Sequence, residues 1–144
     1  MPGDPGPRRG LAVTLQVYAA RISSRDPDRL DITRKSGGAT GTPFAPSWPI
    51  LRPALDAMRI ASQMDGPAGE AHEAQAWARY VPAYTAEMRV SYRAHRPTWN
   101  ALLARPRVVL VCYCTRPERC HRTVLGRDIL PRLGAEWCGE AAPL

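Results

Sequence analysis

Read for the spacing of apolar positions, the chain alternates between extended and helical segments. Leu11–Ile22 is apolar with β-branched residues and predicts a first strand centred on Leu15-Gln-Val-Tyr-Ala19. A polar turn over Ser23–Leu30 follows, then a short extended piece, Asp31-Ile-Thr33, and a glycine-rich loop, Arg34–Gly41. Phe44-Ala-Pro-Ser-Trp48 reads as a turn that opens a helix, with Ser47 as N-cap and Pro49 at the first helical position. That helix is expected to reach about Gln63, with Ile50, Leu51, Leu55 and Met58 facing inward.

Gly66–Gly69 reads as a break, and Glu70–Arg93 as the longest helix. Its apolar stripe is Trp77, Tyr80, Val81, Tyr84, Met88 and Tyr92, at three- and four-residue steps. Pro82 is expected to kink or restart it, because proline lacks an amide and clashes one turn back. Pro97 opens a further short helix, Thr98–Ala104. Val108–Cys114 is apolar on both faces, the signature of a central strand in a parallel sheet. Thr123–Leu133 is a last amphipathic helix with Val124, Leu125, Ile129 and Leu133 inward, stopped by Gly134. Ala135–Cys138 closes the pattern as a short strand. Strands alternating with helices predict an α/β fold, a small three-layer sandwich on a mostly parallel central sheet.

Length changes this picture little: 144 residues suit one domain, taken as residues 11–144 after a disordered leader over residues 1–10. The leader lacks a hydrophobic signal region, and no run approaches the roughly 18 apolar residues that span a bilayer. The expected location is therefore cytoplasmic, where the four cysteines serve as thiols or metal ligands rather than disulfides. The net charge of +7 raises nucleic acid as a partner. Nineteen of the twenty basic residues are arginines spread along the chain, which fits compositional bias and a solvated surface as well as a binding face. Lys35 is the only lysine.

Candidate chemistry concentrates near the C-terminus. Strand alternation puts Cys112 and Cys114 on one face, and the following turn returns Cys120, His121 and Arg122 over the same sheet edge. A helix beginning near Cys120 would favour an anion there, and with Arg119 and Arg122 would lower a thiol pKa. His121 is the candidate acid or base. Against this, Thr115–Glu118 fits a capping box that would start the helix at Arg116. The spacing from Cys114 to Arg119 is also one residue short of a thiol-phosphatase loop. Cys112, Cys114, Cys120 and His121 carry the right atoms for zinc, but adjacent Cys120 and His121 make a poor pair of ligands, so no cofactor is expected.

Cys-x-Cys followed by Pro-x-x-Cys-His-Arg resembles the domain of unknown function 488 family. The likeness extends to Asp31–Gly37, Phe44–Trp48, Met88–Tyr92 and Leu133–Ala135. It implies a compact α/β protein with motifs converging at one end of the sheet, and it carries no reaction. The recurring residues fall here on Arg34, Lys35, Ser36, Trp48, Arg89, Cys114, Cys120, His121 and Arg122. The resulting expectation is a cysteine-dependent hydrolase or transferase, with Cys120, Cys114 and His121 catalytic. Arg122, Arg34, Lys35, Ser36, Trp48 and Arg89 would then bind a phosphate-bearing small molecule, a nucleotide or a base in nucleic acid. The alternative is a non-catalytic module that binds nucleotide or nucleic acid through the same pocket.

Overall fold

A computed structural model describes residues 13–142; the expected leader and the first two residues of the expected first strand lie outside them. Four strands form one all-parallel sheet: β1 Gln16–Arg21, β2 Arg29–Asp31, β3 Arg107–Cys112 and β4 Glu136–Glu140, in the order β2-β3-β1-β4. The helices are α1 Gly38–Gly41, α2 Trp48–Ala61, α3 Gly66–Ala94, α4 Arg96–Leu103 and α5. α5 begins as an α-turn at His121–Thr123, widens to π-type winding at Val124–Ile129 and tightens to 3-10 at Leu130–Leu133. The protein is α/β with β3 central in a parallel sheet, as the alternation of periods implied. Among the described residues no helix is long and apolar enough to cross a membrane.

Register sorts the strand residues into two faces. Val17 lies beside Val108 and Ala19 beside Leu110, and these with Leu15 join Phe44, Tyr84, Met88, Trp99 and Leu125 in the core. The connection from β1 to β2 has to pass β3, because β3 separates them in the sheet. Arg107 holds that connection by ion pairs to Asp26 at 2.8 Å and Asp28 at 3.0 Å. Arg107 also lies over the Tyr18 ring, on the face opposite Val17 and Val108.

The helix boundaries differ from the sequence expectation in instructive ways. α3 starts at Gly66 rather than after Gly69, because Gly69 is where α2 crosses it: a Cβ there would stand 2.6 Å from the Ala61 carbonyl oxygen. The buried face of α2 is accordingly Ala54, Ala57 and Ala61, while Leu55 is exposed. Close helix approach selects small residues over the large ones that amphipathic spacing favours. α3 also runs unbroken through Pro82. Pro82 and Ala78 one turn before it are both exposed, so water can reach the carbonyl that loses its amide.

Candidate active site

β3 ends at Cys112, and the next eight residues decide the site. The capping-box reading does not hold. Thr115–Glu118 leads into a 3-10 turn at Pro117–Arg119, and Cys120 is extended at φ −139°, ψ 142°, so helical winding starts at His121. Glu73 of α3 pins this turn, accepting from Arg116 at 2.8 Å and Arg119 at 3.2 Å, and Glu70 accepts from Arg119 at 3.0 Å. Glu73 is buried although it sits on the same face as Ala76 and Tyr80. A carboxylate in an apolar helical stripe was the legible sign that it had a fixed partner.

The extended Cys120 followed by a helical His121 turns both side chains to one point. The ligating atoms of Cys112, Cys120 and His121 lie within 4.8 Å of one another, all buried. Cys112 Sγ is 3.8 Å from Cys114 Sγ and 3.7 Å from His121 Nδ1, and Cys120 Sγ is 4.0 Å from the same nitrogen. His121 Nε2 lies 2.7 Å from the Ile32 carbonyl oxygen, which can only accept. That contact fixes a proton on Nε2, so in the neutral imidazole the Nδ1 lone pair faces the sulfurs. The Tyr84 ring packs edge-on against the imidazole, and its hydroxyl donates to the Phe44 carbonyl at 2.6 Å.

Arg122 is fully buried beneath the cluster. It donates to Glu140 at 3.1 and 3.3 Å, to the Cys114 carbonyl at 2.8 Å and toward Cys120 Sγ at 3.7 Å. Burial works most strongly on its charge and against it, but Glu140 together with Cys120 and Cys112 outweighs burial, so its pKa stands above the usual arginine value.

The electrostatics separate the thiols. Hydrogen bonds from Cys112 and Cys120 lower the Cys114 pKa to about 3, with Arg122 assisting against partial burial. Cys120 goes the other way: deep burial, then the neighbouring sulfurs, push it well above an ordinary thiol. The shifts favour ionisation at the half-buried Cys114 over the buried Cys120.

The glycine-rich loop reaches this edge through a residue that sequence reasoning passed over. Tyr113, between the two cysteines, hydrogen-bonds Ser36 Oγ at 2.9 Å, and Lys35 Nζ lies 5.8 Å from the Tyr113 ring centroid. Ser36 and Thr33 both bond Asp31, and these bonds outweigh burial and hold its carboxyl below the usual range. The loop and the cysteine turn therefore meet at one end of the sheet.

Three other expected site residues have settings of their own. Arg34 spends its donors on the carbonyls of Pro46 at 3.0 Å, Thr42 at 3.2 Å and Ala45 at 3.0 Å, bracing the turn before α2. Trp48 opens α2, with the Arg52 guanidinium over its ring at 5.1 Å. Arg89 lines a cavity between α3 and the far end of α5. Neither Glu140 nor the Ile32 carbonyl was foreseeable, since each depends on which strands become neighbours.

Fold and site together define an α/β protein with a cysteine–histidine–arginine cluster at the carboxyl edge of a parallel sheet. The chain belongs to the DUF488 family: the model for DUF488-N3a, described as the active DUF488-N3 subclade, matches residues 42–133. The matched span takes in α2 to α5 and all three clustered cysteines but not the Asp31–Gly41 loop. Comparison with curated proteins and with solved structures gave no match.

Proposed function

We propose that this protein is a cysteine-dependent hydrolase or transferase acting on a phosphate-bearing substrate, a nucleotide or a base within nucleic acid, with Cys114 as nucleophile. One observation carries the reading: of three clustered sulfurs, only Cys114 is partly open to solvent, and it accepts a hydrogen bond from the Cys112 thiol at 3.8 Å. A thiolate in that setting attacks an electrophilic carbon or phosphorus and forms a covalent intermediate as the leaving group departs with the bond electrons. Water then releases the product in a hydrolase, or a second acceptor does so in a transferase. His121 Nδ1 is the proton acceptor within reach of the buried thiols. Arg122, pinned by Glu140, acts by stabilising the thiolate rather than by touching substrate. Lys35, exposed beside Tyr113, is the cation free to meet substrate phosphate. The description of the matched subclade as active agrees with a catalytic reading.

A structural zinc is a second reading, favoured by the same cluster. With Zn–S about 2.3 Å and Zn–N about 2.0 Å, a tetrahedral site has edges of roughly 3.5–3.8 Å. The Cys112–Cys114 and Cys112–His121 separations fall in that range, and a backbone carbonyl on Nε2 is the usual outer partner of a ligating histidine.

Mapping of iodoacetamide labelling on the full chain, alongside its metal content, separates the readings. Catalysis predicts a Cys114 alkylation rate that is flat from pH 5 to 8, where an ordinary thiol's climbs about tenfold per pH unit, with no stoichiometric metal. A rate that climbs with pH at all four would favour a binding module. Protection of the three clustered cysteines that a chelator lifts, with one zinc per chain, would replace the nucleophile with an ion.

A further inference from the structure

The cavity that holds Arg89 lies apart from the cysteines. It is about 320 Å³, within the size range of small-molecule sites, and sits between α3, α4 and the last two turns of α5. Asp128 and Arg132, which contribute from α5, follow His121 by seven and eleven residues, so they lie about 10–17 Å along the helix from the thiol cluster.

Its floor and its rim differ in chemistry. Met88 and Trp99 are core residues, and Ile129 and Leu133 pack against that core, giving an apolar floor. The rim carries Arg89 and Arg93, four residues apart on α3, and Arg132 opposite them on α5, all three exposed. Like charges at that helical spacing repel. Among the described residues none of the three guanidiniums has an ion pair or a hydrogen bond. The one carboxylate at the cavity, Asp128, is neutralised by Arg127 through bonds of 2.8 and 3.0 Å. Arg107, Arg116, Arg119 and Arg122 all have carboxylate partners, while among the described residues the exposed Arg21, Arg25 and Arg79 lack one; what sets Arg89, Arg93 and Arg132 apart is that they surround one apolar floor. The larger cavity beside Arg34 offers no comparable demand, because Arg34 is spent on carbonyls and Ser47 already bonds Glu87.

From three unpaired guanidiniums gathered over one apolar cavity floor we infer a second ligand site, for a phosphomonoester on an aromatic or similarly apolar body. The apolar portion covers Met88, Trp99, Ile129 and Leu133 while the phosphate takes the charge of Arg89, Arg93 and Arg132. Guanidinium forks suit phosphate oxygens. This inference is independent of the thiol chemistry, and its test keeps the two apart.

Calorimetric titration of the full chain with phenyl phosphate, inorganic phosphate and phenol tests both halves of the site. Phenyl phosphate is expected to bind in the sub-millimolar range, at least tenfold tighter than either fragment. Arg93→Ala and Arg132→Ala, both surface changes, should each weaken it about tenfold, whereas Cys114→Ser should leave it unchanged. Absence of binding at 10 mM phenyl phosphate would overturn the inference. So would equal affinity for inorganic phosphate, or affinity indifferent to both arginine variants. Loss of binding in Cys114→Ser alone would return the phosphate site to the sheet edge.

Discussion

The ionisation of Cys114 can be tested by removing its strongest support. A free thiol with a pKa near 8.5 is only about 0.3% ionised at pH 6, and its alkylation rate climbs tenfold per pH unit up to that value. With Cys114 at about 3, the rate should instead be flat from pH 5 to 8. The absolute rate is the wrong observable, because a thiolate's intrinsic reactivity falls with its pKa and offsets much of the gain in ionised fraction. The pH profile is free of that ambiguity. The Cys112 thiol, 3.8 Å away, is the leading contributor, and a hydrogen bond to a charged acceptor is worth about 1.5–3 kcal/mol, or roughly one to two pKa units. Cys112→Ala should therefore move the inflection up to about pH 4–5 and lower the rate at pH 4 roughly two- to tenfold. Cys112→Ser, which keeps a donor, should stay near wild type. The assay is mass-spectrometric rate measurement at Cys114 between pH 3.5 and 8, with circular dichroism confirming the fold at each pH. A wild-type profile that rises one log unit per pH unit from 5 to 8 would refute the reasoning, as would identical inflections in the alanine and serine variants.

Three further outcomes follow from the packing and charge. The Cys114 pKa lies below its unfolded value, so between about pH 3 and 8.5 the unfolded chain binds the extra proton and this group's stabilisation grows with pH. Urea titrations should show wild type gaining stability over Cys114→Ser across that window and losing the gain as pH falls toward 3. Gly69→Ala places a Cβ 2.6 Å from the Ala61 carbonyl oxygen, so α2 and α3 must separate, at a cost of about 1–3 kcal/mol readable in the urea midpoint. Gly126→Ala drives a Cβ to 2.5 Å from the Trp137 ring, and the displaced indole should shift the tryptophan emission as stability falls by about 1–3 kcal/mol.

Periodicity determined the succession of the strands and longer helices, because alternation with periods of two and 3.6 records burial locally, but it missed the one-turn α1 in the glycine-rich loop and set β2 at Asp31–Thr33 rather than Arg29–Asp31. It located Val108–Cys114 as a central parallel strand, two residues beyond the observed end at Cys112, placed Gly134 as the stop of α5, where φ is 100°, and gathered three cysteines at one sheet edge. It erred where contact between elements overrides local pattern: in α2, which buries Ala54, Ala57 and Ala61 while Leu55 is exposed, and at Pro82, which solvent lets the helix absorb. Only the tertiary structure decided what each site residue does. The strand order β2-β3-β1-β4 sets the Ile32 carbonyl against His121 and so selects its tautomer, and it sets β4's Glu140 against Arg122. Packing of α3 hands Glu73 to the cysteine turn and carries Arg89 away from it. Partners of this kind come from elements dozens of residues apart, and a hydrogen bond leaves no periodic trace in the sequence that makes it.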